Sequence, residues 1–493
     1  MTSHDRHEKD DNVSFYPADA QRQQSYEVVE HLATPFEVPV FYHANNPHER
    51  LYVACLDGTG NDEAKPQFGL ETNVAKIHDQ IYTLHNDRIY AGYVPGPGTQ
   101  DGWLTRTRDG ITGGTYDERL ETAYKQFIDK AWDWKKQDPQ AEIRVIGVGF
   151  SRGGSEEAGL ARLIEERGIQ NPDGAHYKLG DDGLISGVTY TKAPLVAPGQ
   201  VAQAELLFDP VATGAPQRHD RRLPPSVMSG LQIVAADERR SAFASDRIID
   251  PGMTPDGRFL GVTVAGAHSD VGGSYARNGL GIRSENLGID YLNAFSDTPF
   301  LVKQAVPDDP RMNVVHRSEE AFPYDMMPTV DRLKPGGYEE RLVPQQSEYR
   351  IVETSAGMQA VETIHTERPG VRDPFHAEPR NEALARQFDT QAMTSGPQPV
   401  AAEAPKDRAA MSVTKDSSIN DLFESLGNAA MHNDHDGMRA VGQAYLQSAD
   451  GQALLAQGHA FNVAAQAQEA LQAQQQAALQ AQQAAQQNIG FSR

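Results

Sequence analysis

The sequence predicts an α/β protein built on a mostly parallel sheet flanked by helices, with a small helical C-terminal region and a Gln/Ala-rich tail. Three observations carry this expectation. Short apolar runs rich in branched and aromatic residues recur at wide intervals, and each ends in a polar or Gly-rich cluster. Between several of them lie stretches with apolar residues at helical spacing, the alternation that a parallel sheet requires. Beyond residue 395 large apolar residues thin out, and Gln and Ala dominate from Ala464 to Gln487.

The first firm strand is residues 50–56, Arg-Leu-Tyr-Val-Ala-Cys-Leu, running into the turn-forming cluster Asp57-Gly-Thr-Gly-Asn61. Its Cys55, the only cysteine of the chain, reads as an inward-facing position, and a single cysteine excludes an intrachain disulfide framework. That suits a reducing cytoplasm. Residues 116–136 carry Leu120, Ala123, Tyr124, Phe127, Ile128 and Ala131 near a 3.6 period and predict an amphipathic helix. A strand at 142–149 and a helix at 155–167 follow, and two more strands are expected at 204–208 and 259–265. Between these two, 230–243 contains the run Asp237-Glu-Arg-Arg240.

The organisation read from composition is a polar lead-in at 1–35, expected to be mobile or weakly docked, and a catalytic domain at 36–298. A Pro-rich extension or cover at 299–394, a linker at 395–412, and a small helical segment with the Gln-rich tail at 413–493 follow. Lys plus Arg is 45 against 68 Asp plus Glu, a net charge of −23, so nucleic acid is excluded as a partner. The N-terminus is hydrophilic and no run of 18 apolar residues occurs, so neither a Sec-type signal peptide nor a membrane span is expected.

The chemistry is carried by Gly149-Phe-Ser-Arg-Gly153, a G-x-S-x-G pattern between a predicted strand and a predicted helix. The flanking Gly149 and Gly153 suit a strained turn in which a Cβ would collide with strand or helix, and Ser151 would project above the sheet. A Gly-rich turn with an ordinary capping serine is the plainer alternative. Serine is a poor nucleophile at neutral pH and needs a base and an orienting carboxylate, in the chain order Ser, Asp or Glu, His. Asp209 follows the strand at 204–208 and His268 follows the strand at 259–265, so the order is met. His219, His316, His365 and His376 lie in polar, Pro- or Arg-rich surroundings and read as solvated surface histidines. Asp270, the rival to Asp209, reads as a residue shaping the turn after His268.

An oxyanion would need the backbone N–H of Arg152 and a second donor, for which Asp57-Gly58-Thr59 is the best loop; a plain tight turn explains these residues equally well. Asp237 and Arg239 belong either to a solvated face or to an ionic brace behind the site. No His/Cys cluster has metal-ligand spacing and no phosphate loop is present, so no cofactor is expected and calcium is not indicated.

Taken together, the blocks Leu56-Asp-Gly-Thr-Gly-Asn61, Tyr93-Val-Pro-Gly-Pro-Gly-Thr99, Gly149-Phe-Ser-Arg-Gly-Gly154, Phe208-Asp-Pro-Val-Ala-Thr213, Ala236-Asp-Glu-Arg-Arg240 and Gly266-Ala-His-Ser-Asp-Val-Gly-Gly273 resemble the α/β-hydrolase domain family that includes the class-one type VI lipase effectors. Pro210 departs from the family's usual polar residue. The resemblance implies a phospholipase with a triad at Ser151, Asp209 and His268, membrane phospholipid as substrate, and the brace reading of Asp237 and Arg239. The Gln-rich tail resembles those of antibacterial effectors of a type IV secretion system, where such a region docks on the coupling ATPase. A solubilising or oligomerising tail remains open beside it. The effector reading implies a protein held in the producer's cytoplasm, then secreted into a target cell, with a cognate immunity protein. A serine esterase or thioesterase on a soluble substrate, and a catalytically silent interaction protein, are the alternatives.

Overall fold

The structure, a computed structural model, describes residues 11–394 apart from 12, 60, 62–70, 98–114, 181–183, 322, 340–341, 344–345, 355–356 and 366–376, together with Ala444. The chain divides into two units, 1–401 and 402–493; the linker and tail expectations, and residues 98–99 of the second sequence block, lie outside the described residues.

Seven strands form the central sheet: β1 (Glu49–Leu56), β2 (Ile89–Val94), β3 (Glu142–Phe150), β4 (Gln203–Phe208), β5 (Val227–Ala235), β6 (Gly252–Met253) and β7 (Phe259–Val264). Their spatial order is β6-β7-β5-β4-β3-β1-β2, and every pairing is parallel except the antiparallel edge pair β6–β7. This is an α/β-hydrolase-like architecture, and it brings the polar clusters that follow the parallel strands to one carboxyl edge.

Period-2 alternation sorts the core. Leu51, Val53 and Cys55 of β1 pack on one face with α1 (Ala20–Ala33), α2 (Asn73–Thr83) and α6 (Gly279–Asn293). Tyr52, Ala54 and Leu56 pack on the other with α3 (Tyr116–Gln137) and α4 (Arg152–Arg167). Every residue of β1 and β4 is buried, as expected of strands covered on both faces.

Strand β5 was not expected from the sequence, because Ser229, Gly230 and Gln232 interrupt its apolar run. Each polar side chain is satisfied internally: Tyr291 Oη donates to Ser229 Oγ at 3.0 Å, and Gln232 Nε2 donates to the Asp246 carbonyl at 2.9 Å.

The lead-in expectation is corrected over its described part. Phe15–Pro17 pairs antiparallel with Val314–His316, and α1, capped by Asp19, buries Tyr26, Val29 and Ala33 against the sheet. The Tyr26 hydroxyl donates to the Ala265 carbonyl at 2.8 Å, which ties the helix to the residue after β7. Among the described residues the extension forms no second large sheet. It adds short strands to distant segments, as Thr390–Ala392 does on Glu37–Pro39, and an antiparallel hairpin, Gln346–Thr354 with Gly357–His365.

Candidate active site

Ser151 sits between β3 and α4 at φ 59° and ψ −127°, a backbone conformation that a non-glycine residue holds only when its surroundings impose it. The surroundings do so from both sides. The Ser151 N–H donates to the Phe208 carbonyl at 3.1 Å, and the Val211 N–H donates to the Ser151 carbonyl at 3.0 Å, so the elbow is pinned to the segment around Asp209. A Cβ on Gly149 would lie 2.6 Å from the Gly154 Cα, and one on Gly153 2.1 Å from the Leu56 carbonyl oxygen. Neither position admits a side chain.

Asp209 is also left-handed, at φ 42°, and its side chain is fully buried. Its Oδ2 lies 2.6 Å from His268 Nδ1, and its Oδ1 accepts the Ala235 N–H at 2.9 Å. An ionised carboxylate only accepts, so Nδ1 carries the proton and Nε2 is left basic. His268 opens the short helix α5 (His268–Gly272), and its ring packs 4.5 Å from the Phe150 ring and edge-on to Phe243 at 5.0 Å. Three residues expected from separate strand ends thus converge at the carboxyl edge.

Burial alone would push the Asp209 carboxyl up, but the Arg332 guanidinium and His268 outweigh it and hold it below the usual carboxylate range. Burial lowers His268, and the hydrogen bond and charge of Asp209 work against that.

The ionic brace exists, one residue along from where it was expected. Glu238 and Arg240, not Asp237 and Arg239, are the buried pair: Arg240 Nη2 lies 2.9 Å from Glu238 Oε2, and Glu238 accepts the His268 N–H at 3.2 Å. Burial would raise Glu238, yet Arg240 brings it down to about 2. Asp237 instead accepts the Gly266 N–H at 2.9 Å, and Arg239 is partly exposed, 3.9 Å from Asp331. The turn's path, not its composition, selects which acid faces inward.

Asp57 is buried at the end of β1, accepting Tyr93 Oη at 2.6 Å, Thr72 Oγ1 at 2.7 Å and the Gly58 N–H at 2.6 Å. Burial raises it to about 6 despite these bonds. The Gly58 N–H is therefore engaged by its own neighbour, which corrects its expected role as an oxyanion donor. What Gly58 supplies is space, since a Cβ there would lie 2.9 Å from the Ser151 Cβ. Next to it, the buried Thr59 Oγ1 has no hydrogen-bond partner among the described residues.

Asp270 shapes its turn as expected, accepting the Ala267 N–H at 2.8 Å, but it also pairs with His316 Nδ1 at 2.5 Å. His316 is no surface histidine: it is buried, with Nε2 3.1 Å from Asp11, and although burial lowers it the two carboxylates raise it to about 9. His219, half-buried, stacks on Tyr116 at 4.0 Å; His376, and the side chain of His365, lie outside the described residues. Sequence reasoning missed Arg332, whose Nη1 meets Asp209 Oδ1 from the extension. No local signal could have found it, because the two residues are 123 positions apart.

No group of three His, Cys, Asp or Glu side chains placed to hold a metal is found among the described residues, and no helix among them is long and apolar enough to cross a membrane.

Residues 50–179 match a family model described as the catalytic domain of Tle1-like phospholipase effectors of the type VI secretion system. This chain is similar to them there. The matched part holds Ser151 and the Asp57 loop but ends before Asp209 and His268. No curated protein matches the chain. Among solved structures, a protein of Pseudomonas aeruginosa described as uncharacterized is 18% identical, over 62% of this chain and 50% of that one, with a TM-score of 0.32. An acetyl xylan esterase is 14% identical over 48% of this chain and 91% of its own, with a TM-score of 0.19. The chain thus spans half the length of the first of these.

Proposed function

We propose that this protein is a secreted antibacterial effector phospholipase that hydrolyses glycerophospholipid esters through a Ser151–His268–Asp209 acyl-enzyme mechanism. The observation that carries the reading is the buried His268–Asp209 pair at 2.6 Å, set beside a strained Ser151 that is pinned to the same strand end. Ser151 Oγ attacks the ester carbonyl while its proton passes to His268 Nε2. The tetrahedral intermediate then collapses, and His268 returns the proton to the leaving lysolipid alcohol. Water, deprotonated by the same imidazole, releases the fatty acid and restores the serine.

The backbone N–H of Arg152 at the first position of α4 and the N–H or hydroxyl of Thr59 are the oxyanion donors in this reading, and the helix dipole favours the developing negative charge. Loss of one such donor costs about 3 kcal/mol in transition-state stabilisation.

A lipid substrate is supported by the similarity at 50–179 and by apolar side chains near the site. Met326 is 73% and Leu333 65% exposed, and neighbouring Tyr324 packs edge-on to Phe243 at 5.4 Å, the ring that touches His268. For a chain of net charge −23, such side chains offer a lipid surface what electrostatics does not. The rest of the proposal is an immunity protein in the producer, export by a dedicated secretion machine, and docking of the C-terminal tail on its coupling ATPase.

The test is release of fatty acid and lysolipid from defined phospholipids by the protein and by Ser151→Ala, read by mass spectrometry. Release by the wild type alone is expected, and the position of the lost chain gives the regiochemistry. Equal release by both would remove Ser151 as nucleophile, and hydrolysis of simple esters without any of phospholipid would remove the lipid. For the tail, deletion of 413–493 is expected to abolish export and spare hydrolysis in vitro.

A further inference from the structure

His268 stands between two buried carboxylates, and each of these carries its own arginine. On one side Asp209 accepts from His268 Nδ1 through Oδ2 and meets Arg332 through Oδ1. On the other, Glu238 accepts the His268 backbone N–H and pairs with Arg240. Asp209, Glu238 and Arg332 expose 1% or less of their surface. The other two guanidinium nitrogens of Arg332 are engaged as well: Nε donates to the Phe243 carbonyl at 3.0 Å and Nη2 donates to the same oxygen at 2.5 Å. Phe243 is also the residue whose ring packs edge-on to His268. One side chain from the extension therefore touches both supports of the imidazole, the carboxylate behind it and the backbone that presents the ring beside it.

We propose, resting on the hydrolase reading above, that Arg332 is a positioning residue of the active site: it holds the Asp209 carboxylate in place for His268 and offsets its charge, so that the imidazole rests as a neutral base. Two cations balance two anions with the histidine uncharged, so a proton on His268 is surplus until the serine gives one up. An uncovered buried Asp209 would bind the imidazolium much more strongly and take the base out of service at a higher pH.

The groups facing His268 are Asp209 at the end of β4, Arg332 behind it, and Glu238 with Arg240 after β5. On its own helix stands Asp270, already paired with His316. Asp237, from the turn after β5, is engaged with the Gly266 N–H. The residues expected to merely cover the site thus complete it. Arg332 is buried while its neighbour Leu333 is exposed, so the same short turn ties the catalytic carboxylate to the apolar surface above.

The experiment uses the full-length protein and reads the His268 imidazole directly, by nitrogen-15 NMR across pH, together with the pH dependence of kcat/KM on a short-chain p-nitrophenyl ester. The wild-type midpoint is expected below the ~6.5 of an ordinary histidine. Arg332→Gln is expected to raise it by about one unit in both measurements, roughly a tenfold loss of kcat/KM on the acid side. Arg332→Lys, which keeps the charge, should leave the midpoint within about 0.3 unit of wild type.

A wild-type midpoint at or above ~6.5, a folded Arg332→Gln with an unmoved midpoint, or a Lys midpoint about a unit higher would each overturn the proposal. If Arg332→Gln does not fold, the wild type and the Lys variant decide. Labelling by a fluorophosphonate tests the underlying reading separately: label on wild type but not on Ser151→Ala supports it, and no difference between them removes it. The NMR midpoint judges Arg332 in either case.

Discussion

Two pairs of buried acids on the same sheet meet opposite fates. At the carboxyl edge, Asp209 and Glu238 are each matched with an arginine and held below the usual carboxylate range. On the face beneath α4, Glu157 and Glu205 turn toward the space left by Gly147: a Cβ there would lie 2.2 Å from Glu205 Oε2 and 2.6 Å from Glu157 Oε2. Among the described residues neither has a cationic partner, and Glu157 Oε1 and Glu205 Oε2 have no hydrogen-bond partner. Burial pushes both far above the usual range, and for Glu157 the nearness of Glu205 adds to it. Burial is common to all four acids, so it does not decide protonation. The presence of a guanidinium does, because a desolvated carboxylate without a counter-charge keeps its proton. The lowered pair flanks His268 at the carboxyl edge; the raised pair lies in the interior, where a charge would cost stability.

The largest expected effect breaks this comparison at the edge. Asp209→Asn should lower kcat roughly 10⁴-fold while keeping the fold, because an amide cannot hold the reactive tautomer of His268. Single-turnover fatty-acid release checks it, and near-wild-type turnover would show that the ionised edge serves structure alone.

Next is Glu238→Gln, which leaves Arg240 buried against a neutral partner. It should cost about 3 kcal/mol in urea denaturation at neutral pH. Because Glu238 is brought down to about 2, its contribution is present above ~4.5 and lost as pH falls toward 2, so the variant should also lose that acid-side slope.

His316 sharpens the comparison from the opposite sign, as a cation between two acids. Raised to about 9, it stabilises the fold fully below ~6.5, and this is lost as pH rises through 9. His316→Gln should reduce stability at pH 6 by about 2 kcal/mol and flatten the alkaline side, measured by thermal melting.

The smallest effect belongs to the uncovered pair. Glu157→Gln swaps one neutral group for another of the same shape and should change stability at pH 5 by less than about 1 kcal/mol. A raised acid binds its proton more tightly when folded, so wild-type stability falls as pH climbs above ~4.5, and the variant should shed part of that slope. An unchanged slope would mean that Glu157 is ionised, and the contrast with the edge would disappear.

Much of the fold was legible because its signals are short-range. The strands at β1, β3, β4 and β7 and the helices α3 and α4 appear within a residue or three of their expected ends, since period and strand-end polarity are written locally. Strand β5 was not, because Gln232 and Ser229 look like loop residues until Asp246 and Tyr291 arrive to satisfy them. Helix α1 falls in the stretch that reads as a mobile or weakly docked lead-in, because its three buried side chains are too few among polar neighbours to show before the sheet covers them. The brace was placed one residue early for a related reason: Asp237-Glu-Arg-Arg240 alternates acid and base only in pairs, and which member turns inward depends on the path taken after β5.

By itself the sequence determined the parallel sheet, the glycine-flanked elbow at Ser151 and the order in which Asp209 and His268 follow it, since each depends on residues within a few positions of one another. Only the tertiary structure decided which buried groups carry charge. The charge state of a buried carboxylate is set by the cation that the fold places within hydrogen-bonding reach, and Arg332 comes to Asp209 from 123 residues away, while Glu205 and Glu157 receive none among the described residues.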